Sequence, residues 1–139
     1  MIRYLAILAL LLALPLAAPA GEYDAEITVI DRMTGIMNEF ADRMEAASGS
    51  ADYVTACDDL ADGMEEYGSE VVAISKENPE WAEEPPAEVQ EPMRRHMAAA
   101  GRFEAAMQKA VNYANDNMDD RAFQESFKRL NEIIYNMYR

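Results

Sequence analysis

The sequence predicts an all-α protein, an antiparallel up-down-up-down four-helix bundle, on three observations. Apolar residues recur every three or four positions through most of residues 21–139, which is the spacing of one face of a helix. Strand signals are scarce. The breaks between the periodic runs are short, long and short in turn, the connection pattern of a bundle, and the middle one is acidic and rich in proline.

The first helix is marked by Ile27, Ile30, Met33, Met37, Phe40, Met44 and Ala47. Gly49-Ser50 interrupts it, with Ser50 expected to cap the next helix. The second helix carries Tyr53, Cys57, Leu60, Met64, Tyr67, Val71 and Ile74 on a continuous apolar seam. Asn78-Pro79 ends it, because the residue before a proline avoids helical geometry. The connection Pro79 to Glu88 reads PEWAEEPPAE, and its Trp81 is expected to cap one end of the bundle or, if exposed, to serve in recognition. Pro86 or Pro92 suits the first turn of the third helix, where a missing N–H costs little. That helix turns inward Val89, Met93, His96 or Met97, Ala100, Phe103, Met107, Ala110 or Val111, and Ala114, and Asn115-Asp116-Asn117 stops it. Asp119 or Asp120 caps the fourth helix, whose inner face is Phe123, Phe127, Leu130, Ile134 and Met137.

Residues 1–20 read as a cleaved secretory signal peptide. Arg3 is the basic start, Tyr4 to Leu16 the apolar core, and Ala18-Pro19-Ala20 the cleavage site. The run is shorter than the ~20 residues that span a bilayer. The expectation is a single periplasmic or secreted domain over residues 21–139, with no membrane association after cleavage.

The chain is acidic, with a formal net charge of −14. Most Asp and Glu lie before Pro92, and most Lys and Arg after it. Such a surface disfavours nucleic acid and anionic lipid. It suits solubility, and a basic protein partner is compatible with it. A homodimer is compatible with the sequence as well. Cys57 is the sole cysteine, so no internal disulfide forms. It falls on an apolar seam, where a cysteine acts as a small hydrophobe.

Two stretches carry a family resemblance. The tail Asp119 to Arg139 reads DDRAFQESFKRLNEIIYNMYR, and Ile30 to Met37 reads IDRMTGIM. Together with the helix layout they resemble the exported four-helix-bundle cytochromes of the c-prime and b562 type. In c-type members of that family the last helix carries Cys-x-x-Cys-His, then two residues, then an aromatic and an Arg. Here Tyr138-Arg139 is in place, but Asn131 and Ile134 stand at the cysteine positions and Tyr135 at the histidine position. The resemblance implies the bundle fold and excludes covalent haem attachment. It also places Met33 at the axial-ligand position of the b-type relatives, so Met33 and Tyr135 are the candidate haem-pocket residues. Tyr135 is expected to line or plug that pocket. A tyrosinate can ligate ferric haem, but only after losing a proton from a group with a reference pKa near ~10.

A second candidate is a metal site. Met93, His96 and Met97 share one side of a helix turn, and thioether with imidazole suits Cu(I). Met33 and Met37 form a similar pair. The chain has ten methionines, however, and methionine is also a flexible core filler. The acidic run Asp58, Asp59, Asp62, Glu65 and Glu66 reads as a solvated outer face. No Ser-His-Asp arrangement, phosphate loop or Glu-x-x-His pair occurs, so an enzyme is the least supported class. The leading expectation is a non-enzymatic binding or interaction module without a cofactor. The alternatives are non-covalent haem b with Met33 as ligand for electron transfer, and Cu(I) binding through Met93, His96 and Met97.

Overall fold

A computed structural model describes residues 21–139, and they are all-helical: four helices packed against one another, with no strand among the described residues. The signal-peptide reading of residues 1–20 lies outside them. The helices are α1, Asp24–Ala46; α2, Ser50–Glu77; α3, Ala87–Asp116; and α4, Arg121–Met137. A short 3-10 turn, Pro79–Ala82, follows α2. No described helix is long and apolar enough to cross a membrane.

α1 lies between α2 and α3, while α4 lies on α2 and touches α3 more lightly. Ion pairs and hydrogen bonds give the register. Between α1 and α3, Asp31 meets Arg95, Thr34 meets His96, and Asp42 meets Arg102. Between α2 and α4, Val54 and Asp58 meet Ser126, and Asp62 and Glu65 meet Arg129. In both pairs the residue numbers rise together. Between α1 and α2 they run oppositely, with Arg43 on Asp59 and Ile36 over Gly63.

The main core gathers Met33, Met37, Phe40 and Met44 of α1 with Tyr53, Leu60 and Met64 of α2 and Phe123 and Leu130 of α4. From α3 it takes alanines: Ala99, Ala106, Ala110 and Ala114. The expected Ala100 is exposed and Ala99 is buried in its place. On α2 the seam drifts beyond Met64: Gly68 and Val72 are buried, while Tyr67, Val71 and Ile74 are only partly covered. A straight helix turns slowly away from any strict three-four repeat, so the face that meets α4 is not the face the repeat marks.

The helix ends use local chemistry. Asp120 caps α4, accepting from the Phe123 N–H at 3.2 Å and from the Tyr113 hydroxyl at 3.0 Å. Tyr113 in turn stacks on Tyr53, with ring centroids 3.9 Å apart. At the start of α2 the capping residue is Gly49, without a side-chain bond. Ser50 is the first helical residue, and Asp52 accepts from the backbone N–H of Ser48 instead. Asn78 closes α2, its N–H and its side-chain amide both donating to the Ile74 carbonyl. Pro86 is the residue before α3, and Pro92 lies inside the helix with its ring buried. The expectation that either opened the first turn holds only in its neighbourhood: the helix starts five residues before Pro92, leaving the Glu88 carbonyl without an N–H donor one turn on. The Lys109 ammonium donates to the Met44 carbonyl and lies 5.7 Å from the Tyr53 ring centroid. It thereby satisfies one of the orphan carbonyls at the end of α1.

Gly63 tests the closeness of α1 and α2. A Cβ there would stand 2.9 Å from both Cδ1 and Cγ2 of Ile36. Cγ2 is fixed to the β-branched carbon, which has one strongly preferred rotamer in a helix. Gly63→Ala gains roughly 1 kcal/mol of helix propensity, and overpacking costs about 1–3 kcal/mol. The expected outcome is a net loss of about 1 kcal/mol in urea unfolding; Ile36→Val in the same chain should recover part of it.

Candidate functional site

The end of the bundle beneath the 3-10 turn has its own small core. Trp81 is only 5 % exposed and packs with Ile30 and Val89 in a cluster separate from the main one. The Tyr23 ring meets it edge-on, with centroids 5.4 Å apart. Trp81 therefore closes the bundle end, and the reading of an exposed recognition tryptophan does not hold. Asn78 stops α2, Pro79 starts the turn, and the turn lays the indole back over α1 and α3.

Inside this end is a cavity of about 170 Å³, walled by Ile30, Val71, Ile74, Trp81 and Met93 and reached by His96. Its lining is almost wholly apolar. The volume is near that of an apolar cavity of ~150 Å³ known to hold benzene. It is well below the roughly 300 Å³ at which sites for drug-sized ligands begin.

His96 supplies the polar feature. Its Nδ1 lies 3.1 Å from the hydroxyl oxygen of Thr34, which is buried on α1. That hydroxyl donates to the Ile30 carbonyl at 2.7 Å. A threonine has one hydroxyl proton, and the carbonyl can only accept. With the Thr34 proton on the Ile30 carbonyl, the Thr34 lone pair faces His96 and Nδ1 carries the imidazole proton; the other tautomer reverses the bond. In the neutral ring Nε2 is then a bare acceptor. Burial holds the ring neutral by lowering its pKa from the ordinary value.

The two haem-pocket candidates do not come together. Met33 is 3 % exposed and packed within the main core. Tyr135 is 64 % exposed on the outer side of α4, with the Arg139 guanidinium 5.6 Å from its ring centroid. It neither lines nor plugs an interior pocket, because the inward positions of its turn are taken by Ile133, Ile134 and Met137. Neither residue lines the end cavity. Filled with its own side chains, this interior does not fit a haem held between Met33 and Tyr135.

The copper candidates are split. Met93 and His96 line the same cavity, whereas Met97 is 66 % exposed. The i, i+3 pair faces inward and the i+4 residue falls off the edge of the buried stripe. Among the described residues no group of three or more His, Cys, Asp or Glu is placed to hold a metal ion. Cys57 is fully buried, and burial together with Asp58 pushes its thiol up to about 12.

Thr34 is the residue that sequence reasoning missed, though it follows Ile30 by four on the apolar seam of α1. Its role depends on α3 placing His96 at the same level, which no local pattern encodes. Comparisons with protein-family models, with curated proteins and with solved structures found no match to this chain.

Two solution tests follow. For His96, the folded state disfavours the proton, so the unfolded chain binds it first as the pH falls. Stability should be full above about pH 6.5 and drop as acidification passes the lowered folded value. Denaturant unfolding at a series of pH values should show this slope, and His96→Gln should flatten it. Asp52, held low first by the Ser48 N–H, and Asp120, held low first by the Ser50 hydroxyl, add a loss of the same sign only in the carboxylate range. For Cys57, a thiol reagent at about pH 8 should leave the native protein unlabelled and modify it fully in denaturant.

Proposed function

We propose that this chain is an exported, non-enzymatic four-helix bundle that binds a small apolar molecule in the cavity beneath Trp81. In this reading the bundle runs up-down-up-down, and the acidic, proline-rich connection between α2 and α3 forms its lid. The rising register of α1 with α3 and of α2 with α4, and the opposed register of α1 with α2, support that course. The cytochrome c-prime and b562 resemblance then describes the frame of the protein and not its cofactor.

The observation that carries the proposal is the cavity itself. Apolar surface left lining a partly open hollow is costly: it forfeits the contacts a filler would make. The main core is filled by Phe40, Leu60, Phe123 and Leu130 together with methionine and alanine, whereas this end sets a large indole over a hollow. A structural filler such as a longer residue at Ala82 would close the space from its rim. Specific binding is the simplest use of an apolar space kept open beside Ser75, Asn78 and His96.

The haem-b reading and this one separate in one experiment. Haem titration of the purified protein, followed by visible absorption, is expected to give no one-to-one Soret complex that depends on Met33. Toluene, added in parallel, is expected to bind saturably and raise the thermal midpoint. A stoichiometric haem spectrum lost in Met33→Ala, with no toluene binding, overturns the proposal. A copper reading is tested alongside by Cu(I) competition against a chelator, where Met93→Leu and His96→Ala should leave the competition unchanged.

A further inference from the structure

The Thr34–His96 pair fixes more than the presence of a pocket. From it we infer that the end cavity recognises a neutral one-ring aromatic molecule bearing a single hydroxyl donor, a phenol in chemical class. This inference rests on the proposed small-ligand reading and specifies its ligand.

Three observations converge. The first is volume: about 170 Å³ takes one six-membered ring with a small substituent and excludes two fused rings with side chains. The second is the direction of the hydrogen bond. When Thr34 gives its only proton to the Ile30 carbonyl, as its 2.7 Å contact favours, His96 donates from Nδ1. The edge of the ring left over carries Nε2, an acceptor without a protein hydrogen-bond partner among the described residues. Nor is it a sealed, unpartnered atom, since no buried side-chain nitrogen or oxygen among those residues lacks a partner. It is reached by solvent, and His96 borders the cavity, so a donor bound there is within its neighbourhood. A ligand that accepts but cannot donate gains nothing there.

The third observation is charge. Glu77, Glu80, Glu83 and Glu84 are exposed on the segment that forms the roof, and Glu22, Glu26 and Glu88 raise the pKa of Tyr23 beside Trp81. The roof itself is acidic, although Lys76, Arg94 and Arg95 lie at the same end. Carboxylates of the same ring size are disfavoured, and a neutral hydroxyl is accepted. Aromatic walls suit an aromatic guest: Trp81 offers a ring face or edge, and Met93 a thioether, which makes favourable contacts with rings.

The test uses the intact protein and three probes of one ring size: phenol, toluene and benzoate. Calorimetry and NMR of the Trp81 indole follow binding. Phenol is expected to bind about five- to tenfold more tightly than toluene, the effect of one hydrogen bond, and benzoate not measurably. On adding phenol the Nε2 resonance of His96 should shift and the Nδ1 resonance should stay. In His96→Leu the phenol advantage should vanish while toluene still binds, and that retained binding shows that the variant keeps its cavity. In Thr34→Val the ring is free to move its proton to Nε2, so phenol should weaken toward toluene with toluene unchanged.

Equal binding of phenol and toluene in the native protein, unaffected by His96→Leu, would overturn the phenol inference and leave the small-ligand reading standing. No saturable binding of any probe would overturn both.

Discussion

Alanine on α3 decides how near α1 can lie, and most of the molecule follows from that distance. Ala99, Ala106, Ala110 and Ala114 form the buried stripe of a thirty-residue helix that presents no buried leucine or isoleucine. Small residues let helix backbones approach, and the longer side chains of the facing helix fill the groove. On α1 those are Met33, Met37, Phe40 and Met44. Methionine suits the task because its unbranched chain adapts to irregular gaps. Packing against alanine thus accounts for the three methionines of α1.

Charge does the work of alignment. The acidic first half and the more basic second half read in sequence as an imbalance. In the fold the two halves meet along two seams. Arg95 and Arg102 of α3 reach Asp31 and Asp42 of α1, and Arg129 of α4 reaches Asp62 and Glu65 of α2. Each pair is exposed and contributes little stability, about 0–1 kcal/mol. Their value lies in discrimination: α1 and α2 carry too many carboxylates to lie side by side in an arbitrary register, and displaced registers bring like charges together. Arg43, bridging Glu39 and Asp59, relieves the α1–α2 seam. The run from Asp58 to Glu66 is a largely exposed face, as expected, that also carries cross-helix pairs. Asp58 accepts from Ser126, Asp59 pairs with α1, and Asp62 and Glu65 pair with α4.

How much of this was legible depends on the range of the interaction concerned. Helix number, the stops at Asn78 and Asn117, and the Asp120 cap are local, and the sequence displays them. The positions that differ from expectation are those set by a neighbour. Gly68 and Val72 replace Val71 and Ile74 because α4 sits to one side of the α2 seam. Ala99 replaces Ala100 because α1 does. Met97 and Tyr135 were placed inward by spacing and by resemblance, yet each is one step beyond the stripe that its partner helix covers. The Thr34–His96 bond joins residues on two helices and was invisible to any periodic reading. Trp81 was recognisable as a cap from its place in a proline-bounded turn, but the hollow under it follows from side-chain sizes on three separate elements.

The location of that hollow has a physical cause. Along the middle of the bundle α1 is flanked by alanines on α3, and the core closes. Toward the start of α3 the inward residues become Val89, Pro92 and Met93, which are larger than the alanines. Proline adds to this, since its ring occupies the space a hydrogen-bonded turn would leave free. On the other side α2 ends at Glu77, so no helix continues to fill the gap, and the 3-10 turn must span it with one large residue. Trp81 reaches across but does not fill the depth below. His96 stands at the boundary between the two regimes, one turn after Met93 and one turn before Ala99. It is close enough to α1 to bond Thr34 and far enough from the alanine stripe to border open space. A chemically distinct site at the end of an otherwise filled bundle is thus a consequence of where the alanines begin.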